Sequence, residues 1–102
     1  MKYGLREKII EELFEIFQEN DKIKEVILFG SRAKGNFKNG SDIDLAIKGK
    51  NLNLVDLNKL LLKIDELDLP YEIDIIIYDK IKNIDLLEHI DRVGIALYKY
   101  KK

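Results

Sequence analysis

The sequence predicts a small α/β (α+β) domain: a mixed sheet of a few strands with helices packed on it. Three observations carry that prediction. Apolar residues recur at helical spacing in three separate segments. Short runs rich in Ile, Val and Leu, bounded by Gly, Asn and Pro, have the character of strands. The two kinds alternate along the chain. At 102 residues the chain suits a single domain over residues 1–102, with little room for a separate acceptor-binding domain.

The first helix is expected over residues 5–19, where Leu5, Ile9, Ile10, Leu13, Phe14 and Phe17 fall on one face. Residues 24–30 (KEVILFG) suit a buried strand. Ser31 is placed to cap a short helix over Arg32–Lys34, with Gly35 as its stop signal, and residues 36–40 are loop. A second strand is expected over 42–48, with Ser41, Ile43, Leu45 and Ile47 facing one way and Asp42, Asp44 and Ala46 the other. Asn53 is a natural N-cap for a helix over 54–68, whose apolar face includes Leu57, Leu60, Leu61, Ile64 and Leu67. After Pro70, residues 71–78 (YEIDIIIY) form a third strand, with Ile73, Ile75 and Ile77 on one face and Glu72 and Asp74 on the other. A last helix runs over 84–92 and stops at Gly94. Residues 95–98 read as an edge strand and Tyr100–Lys102 as a frayed end.

The second and third strands, joined by a helix, are expected to be parallel neighbours. The short return between the first and second suits an antiparallel pair. This topology gathers Gly30, Ser31, Asp42, Asp44 and Asp74 at one end of the sheet.

Composition removes several classes of function. There is no cysteine, so disulfides, zinc thiolate sites and thiol nucleophiles are excluded. The net charge is −1, so nothing draws the whole chain to nucleic acid. Charges interrupt the N-terminal segment throughout, which argues against a signal peptide or a membrane span and for a cytoplasmic setting. Asn39-Gly40-Ser41 matches a glycosylation sequon and is read as a turn. Self-association is left open.

The chemistry is concentrated in ILFGSRAKGNFKNGSDIDLAI, residues 27–47. Two carboxylates at i and i+2 on a strand repel by about 3 kcal/mol at roughly 5 Å in an effective dielectric near 20. A divalent cation carrying a phosphate relieves that repulsion. With Asp74 as a third carboxylate, the set Asp42, Asp44 and Asp74 fits phosphoryl-type transfer assisted by a pair of Mg²⁺ ions. Gly30 lets backbone approach a phosphate closely. The Ser31 hydroxyl adds a donor, and Arg32 and Lys34 flank the anion site. Gly30 and Gly35 have Walker A spacing, but Asn36-Phe37 stands where Lys-Ser/Thr is required.

Taken singly, each residue has a plainer reading. Asp42 and Asp44 can be solvent-facing strand residues, Ser31 only a cap, and Arg32 and Lys34 solvated charges. Glu72 shares the face of Asp74 and is its substitute. His89 reads as a surface residue of the last helix, and Tyr98 and Tyr100 as exposed tyrosines that serve as partner contacts or ordinary packing.

The combined pattern resembles the DNA polymerase β-like nucleotidyltransferase superfamily: Gly30-Ser31-Arg32-Ala33-Lys34-Gly35, then Gly40-Ser41-Asp42-Ile43-Asp44, then Asp74. Within that superfamily it is similar to minimal nucleotidyltransferase (MNT) domains, which are paired with HEPN-domain ribonucleases in toxin–antitoxin modules. The resemblance spans essentially the whole chain. It implies transfer of AMP from ATP to a tyrosine hydroxyl of a HEPN toxin. Asp42, Asp44 and Asp74 become the metal-binding catalytic residues; Gly30, Ser31, Arg32, Lys34 and Ser41 line the nucleotide. MNT proteins commonly carry Arg where Lys34 stands, and Lys keeps the charge without the bidentate fork. The alternatives are an antitoxin that neutralises its partner by binding alone, and a nucleotidyltransferase for another acceptor.

Overall fold

A computed structural model describes residues 2–38 and 40–101; Asn39 of the expected turn and Lys102 of the expected frayed end lie outside the described residues. The elements follow as α1 (Glu7–Gln18), β1 (Ile23–Phe29), α2 (Ser31–Lys34), β2 (Ile43–Gly49), α3 (Leu54–Asp65), β3 (Ile73–Ile77), a 3₁₀ turn (Tyr78–Lys80), α4 (Ile84–Val93) and β4 (Ile95–Lys99). The strands form one mixed sheet in the order β3-β2-β1-β4. β1 runs antiparallel to both β2 and β4, and β2 runs parallel to β3. The fold is the small mixed sheet expected from the sequence, with β3 and β4 at its two edges.

Strand alternation divides the sheet into two faces. Val26, Leu28, Ile43, Leu45, Ile47, Ile75 and Ile77 point to one side and meet Leu13, Ile16 and Phe17 of α1 and Leu60 and Ile64 of α3 in the main core. On the other side, Ile27 and Ala46 pack beneath Ile90 of α4, with Phe29, Ile76 and Leu86 at the margins of that smaller cluster. Alternation puts Asp44 and Asp74 on this second face, beyond the part that α4 covers.

Several boundaries move for local reasons. α1 begins at Glu7 rather than residue 5, because Leu5 is held by paired backbone hydrogen bonds with Lys2 across a turn with Tyr3 and Gly4 at positive φ. Leu5 is nevertheless fully buried. α3 stops at Asp65, three residues early, and Asp68 at φ +51° turns the chain toward β3. Its start is better secured than its end. The Asn53 side chain accepts from the Asp56 N–H while the Asp56 carboxylate accepts from the Asn53 N–H, a reciprocal capping box. Asp56 also pairs with Lys22 at 2.6 Å and accepts from the Asn20 amide, which ties α3 to the α1–β1 connection. Lys22 and Asn53 hold the Asp56 carboxyl below its ordinary value.

Three further expectations are corrected. Gly94 does end α4, but at φ −62°, so left-handed freedom is not the reason for glycine there. A Cβ on Gly94 would stand 2.3 Å from the Ile90 carbonyl oxygen and 2.6 Å from Ile27, so close approach requires glycine. Tyr98 is buried in the core between Phe14 and Phe17. Tyr100 is not frayed: its N–H donates to the Lys24 carbonyl and its ring packs on the core and under the Lys24 ammonium.

Candidate active site

The site is built where β1, β2 and β3 end or begin together. Asp44 is the second residue of β2 and lies opposite Phe29 of β1 on one side and Asp74 of β3 on the other. Asp42 precedes β2 by one residue and is exposed, as is Asp74, whereas Asp44 is half-buried. Burial, then the Asp74 and Asp42 carboxylates, push the Asp44 carboxyl above its ordinary value; His89 opposes the rise. Asp44 is thus the central, most buried member of three neighbouring carboxylates. Glu72, the alternative to Asp74, is not among the groups acting on Asp44, and its carbonyl is used by the Ile43 N–H.

Gly30 closes the site against Asp44. It has φ +75° and ψ −154°, a conformation essentially confined to glycine. A Cβ there would stand 2.3 Å from Asp44 Oδ2. The backbone therefore passes directly over the carboxylate, which a side chain would displace. Gly30 rather than Ser31 is the N-cap of α2, and no side chain caps that turn; Ser31 is its first helical residue, half-buried. The first N–H groups of a helix have no intrahelical partner and are open to an anion. Lys34 ends α2 and is exposed, and Gly35 terminates it at φ +86° with no atom within 4 Å of a built Cβ.

Arg32 departs from both of its expected roles. It is only 2% exposed, neither a solvated charge nor free for a phosphate. Its Nε and one terminal nitrogen donate to the Ser41 carbonyl at 3.2 and 2.7 Å, and the other terminal nitrogen donates to the Tyr3 carbonyl at 2.8 Å. The guanidinium lies 5.2 Å from the Phe37 ring centre and 4.8 Å from that of Tyr71. Arg32 thus clasps the N-terminal turn, the loop before β2 and the entry to β3, and fixes the backbone just before Asp42. The Ser41 hydroxyl accepts from the Lys38 N–H and so helps close the same loop.

His89 was expected at the surface. It is half-buried, and its ring meets the edge of Phe29 at 6.2 Å between centres, near enough to Asp44 to act on it. The helical spacing of Leu86, His89, Ile90 and Val93 carries the signal for this placement, since it sets His89 on the side of α4 that faces the sheet. The buried role of Arg32 has no comparable signal, because its partners are backbone carbonyls distant in sequence.

The donors at the site are hard carboxylate oxygens, the chemistry Mg²⁺ prefers. Among the described residues no three such side chains form a preformed metal cage.

Comparison with known proteins decides the family. The model for polymerase beta nucleotidyltransferases matches residues 11–102. This chain belongs to that family. The nucleotidyltransferase is 31% identical over 98 residues to a Methanocaldococcus jannaschii protein named as a protein adenylyltransferase, covering 84% of this chain and 99% of that one. Among solved structures it is similar to a chain of a toxin–antitoxin complex with AMP-PNP, at TM-score 0.70 and 24% identity, covering 95% of this chain and 76% of that one. It is also similar to a chain of the Shewanella oneidensis complex of tri-AMPylated HEPN toxin with MNT antitoxin. There the TM-score is 0.69 at 18% identity, covering 94% of this chain and 74% of that one. At these identities the structural likeness concerns the fold. No described helix of the nucleotidyltransferase is long and apolar enough to cross a membrane.

Proposed function

We propose that the chain transfers AMP from ATP to a tyrosine hydroxyl of a HEPN-domain toxin and so acts as an antitoxin, in a cytoplasmic setting and with Mg²⁺ at Asp42, Asp44 and Asp74. The observation that carries the reading is Asp44, set between the Gly30 backbone and Asp74 with a carboxyl made harder to ionise by burial and by its acidic neighbours. The matching relative named as a protein adenylyltransferase supports AMP as the group moved and a protein as the acceptor. The complex of HEPN toxin with MNT antitoxin, whose fold is similar, supports the class of partner.

Gly30 and the open N–H groups at Ser31 and Arg32 receive the triphosphate. Lys34, exposed at the end of α2, adds positive charge at the rim. Asp42 and Asp44 hold the cation side of the nucleotide, and Arg32 keeps the loop that carries Asp42 in place. A divalent ion bound there would neutralise triphosphate charge and favour ionisation of the acceptor hydroxyl. The acceptor oxygen attacks the α-phosphorus. One O–P bond forms, the bond from the α-phosphorus to the pyrophosphate oxygen breaks, and Asp74, exposed at the open side, takes the phenolic proton.

The test incubates the protein with α-labelled ATP, Mg²⁺ and a HEPN-domain protein. Labelled partner, with the mass of AMP on a tyrosine, is the expected result. No transfer, or equal transfer by Asp42→Asn/Asp44→Asn, overturns the reading. If that double variant still neutralises the toxin in cells, neutralisation is by binding.

A further inference from the structure

A groove of about 790 Å³ opens beside the site, between the C-terminal half of α3 and the start of β3. Its apolar wall includes Leu61, Leu62 and Leu69, and Leu62 is 66% exposed although it lies on the helix that builds the main core. Its charged lining is of one sign: Asp65, Asp68, Glu72 and Asp74, with no Lys or Arg among the described residues that form it. Asp74 belongs both to this lining and to the carboxylate set around Asp44, so the groove and the site meet at the edge strand β3.

β3 is an edge strand. The Glu72 carbonyl bonds inward to the Ile43 N–H, so by strand alternation the backbone groups of Ile73 point outward, toward the groove. An open strand edge, an apolar wall and a run of carboxylates make a seat for an extended chain that brings its own positive charge.

We infer that this groove receives the acceptor as an extended, lysine- or arginine-rich segment of the protein partner, laid along the outer edge of β3 with its tyrosine hydroxyl reaching Asp74. This rests on the reading of the chain as a protein-modifying nucleotidyltransferase and adds what that reading leaves open: the chemistry of the acceptor's surroundings and the side from which it enters. The other wall of the site is closed by Gly30 against Asp44 and by Phe29 with His89, which leaves the β3 side as the open approach. Nucleic acid, whose phosphates the four carboxylates repel, does not suit this groove.

The experiment measures binding and does not depend on turnover. Two fluorescent peptides, a tyrosine flanked by lysines and the same tyrosine flanked by glutamates, are titrated with the protein in Mg²⁺ and α,β-methylene ATP, which cannot release pyrophosphate. The lysine peptide is expected to bind about tenfold or more tightly than the glutamate peptide, with a preference that shrinks as salt rises. Asp65→Lys/Asp68→Asn changes the groove by three charge units without touching the residues assigned to catalysis. Asn tolerates the left-handed backbone at position 68, and Lys suits the last turn of α3. That variant should lose most of the preference and keep its affinity for α,β-methylene ATP. Equal binding of the two peptides, or an unchanged preference in the variant, overturns the inference. If the lysine peptide is preferred but no tyrosine is ever adenylylated, the proposed function fails and the groove stands. If the partner is adenylylated with no charge preference, the groove fails and the function stands.

Discussion

Gly30→Ala tests the link between backbone geometry and the site most directly, because it acts by two separable routes. The first is conformational: φ +75° with ψ −154° is nearly closed to residues with a Cβ, and holding alanine there costs about 1–3 kcal/mol. The second is local contact. The new methyl would stand 2.3 Å from Asp44 Oδ2, so the carboxylate must leave its position. The far end of a side chain can swing aside at small cost in stability, but the charge it carries moves with it. Stability is therefore expected to fall by about 2 kcal/mol, seen as a lower urea midpoint at unchanged slope and a melting temperature lower by roughly 8–16 °C for a domain of this size. AMP transfer should fall at least about a hundredfold, measured under conditions where the variant is folded. Gly35→Ala is the control. It also has positive φ, +86°, but nothing lies within 4 Å of its built Cβ. It should lose about 1–2 kcal/mol and keep its activity once folded. An active Gly30→Ala, or a Gly35→Ala that is folded and equally inactive, refutes the reasoning.

Three further outcomes follow from the same structure. Asp44→Asn should abolish transfer yet raise stability at neutral pH by about 0.5–2 kcal/mol in urea melts, as functional sites that store repulsion commonly do. The sign comes from the raised carboxyl: ionised Asp44 destabilises the fold above the ordinary carboxylate range, and that cost fades as pH falls through its raised value, so the gain should shrink in acid. Asp56→Asn has the opposite pH dependence. Its lowered carboxyl stabilises the fold above the ordinary carboxylate value, so the variant should lose about 1–2 kcal/mol at pH 7 and progressively less below about pH 4, checked by melts across that range. Arg32→Lys keeps a charge but cannot serve the Ser41 and Tyr3 carbonyls with a planar fork, and should cost about 2–3 kcal/mol in the same assay.

What could be read from the sequence followed its periodicities. The strands, the two main helices and the Asn53 cap were legible because period-two and period-3.6 patterns and capping residues are local signals. The approach of Asp42, Asp44 and Asp74 was legible because a parallel pairing of the two Asp-bearing strands leaves few other registers. Arg32 was not. A charged side chain in a short polar helix reads as solvated, and only the tertiary structure supplies the carbonyls and rings that bury it. The reason for Gly94 was misread for a similar cause: its close neighbour is Ile27, far away in sequence, and its own φ is ordinary. His89 lay between these cases, with a spacing that placed it toward the sheet but no local sign of what it would meet there.

The placement of the site follows from how the two faces of one small sheet are covered. The face beneath α1 and α3 is apolar along the length of β2, through Ile43, Leu45 and Ile47, and it is sealed. The opposite face is apolar only at Ala46 and its neighbours Ile27 and Ile76, and α4 covers that part through Ile90 and Leu86. Two residues earlier on β2 the same face carries Asp44, paired in register with Asp74, and no apolar helix can cross those carboxylates without paying their desolvation. α4 therefore ends its coverage at His89 against Phe29, and Gly94, with no room for a side chain beside Ile90 and Ile27, turns the chain into β4. The uncovered remainder of the face is the site. The carboxylates to which the proposed chemistry is assigned also prevent the fold from closing over them. That is why neutralising Asp44 is expected to stabilise the protein as it silences it.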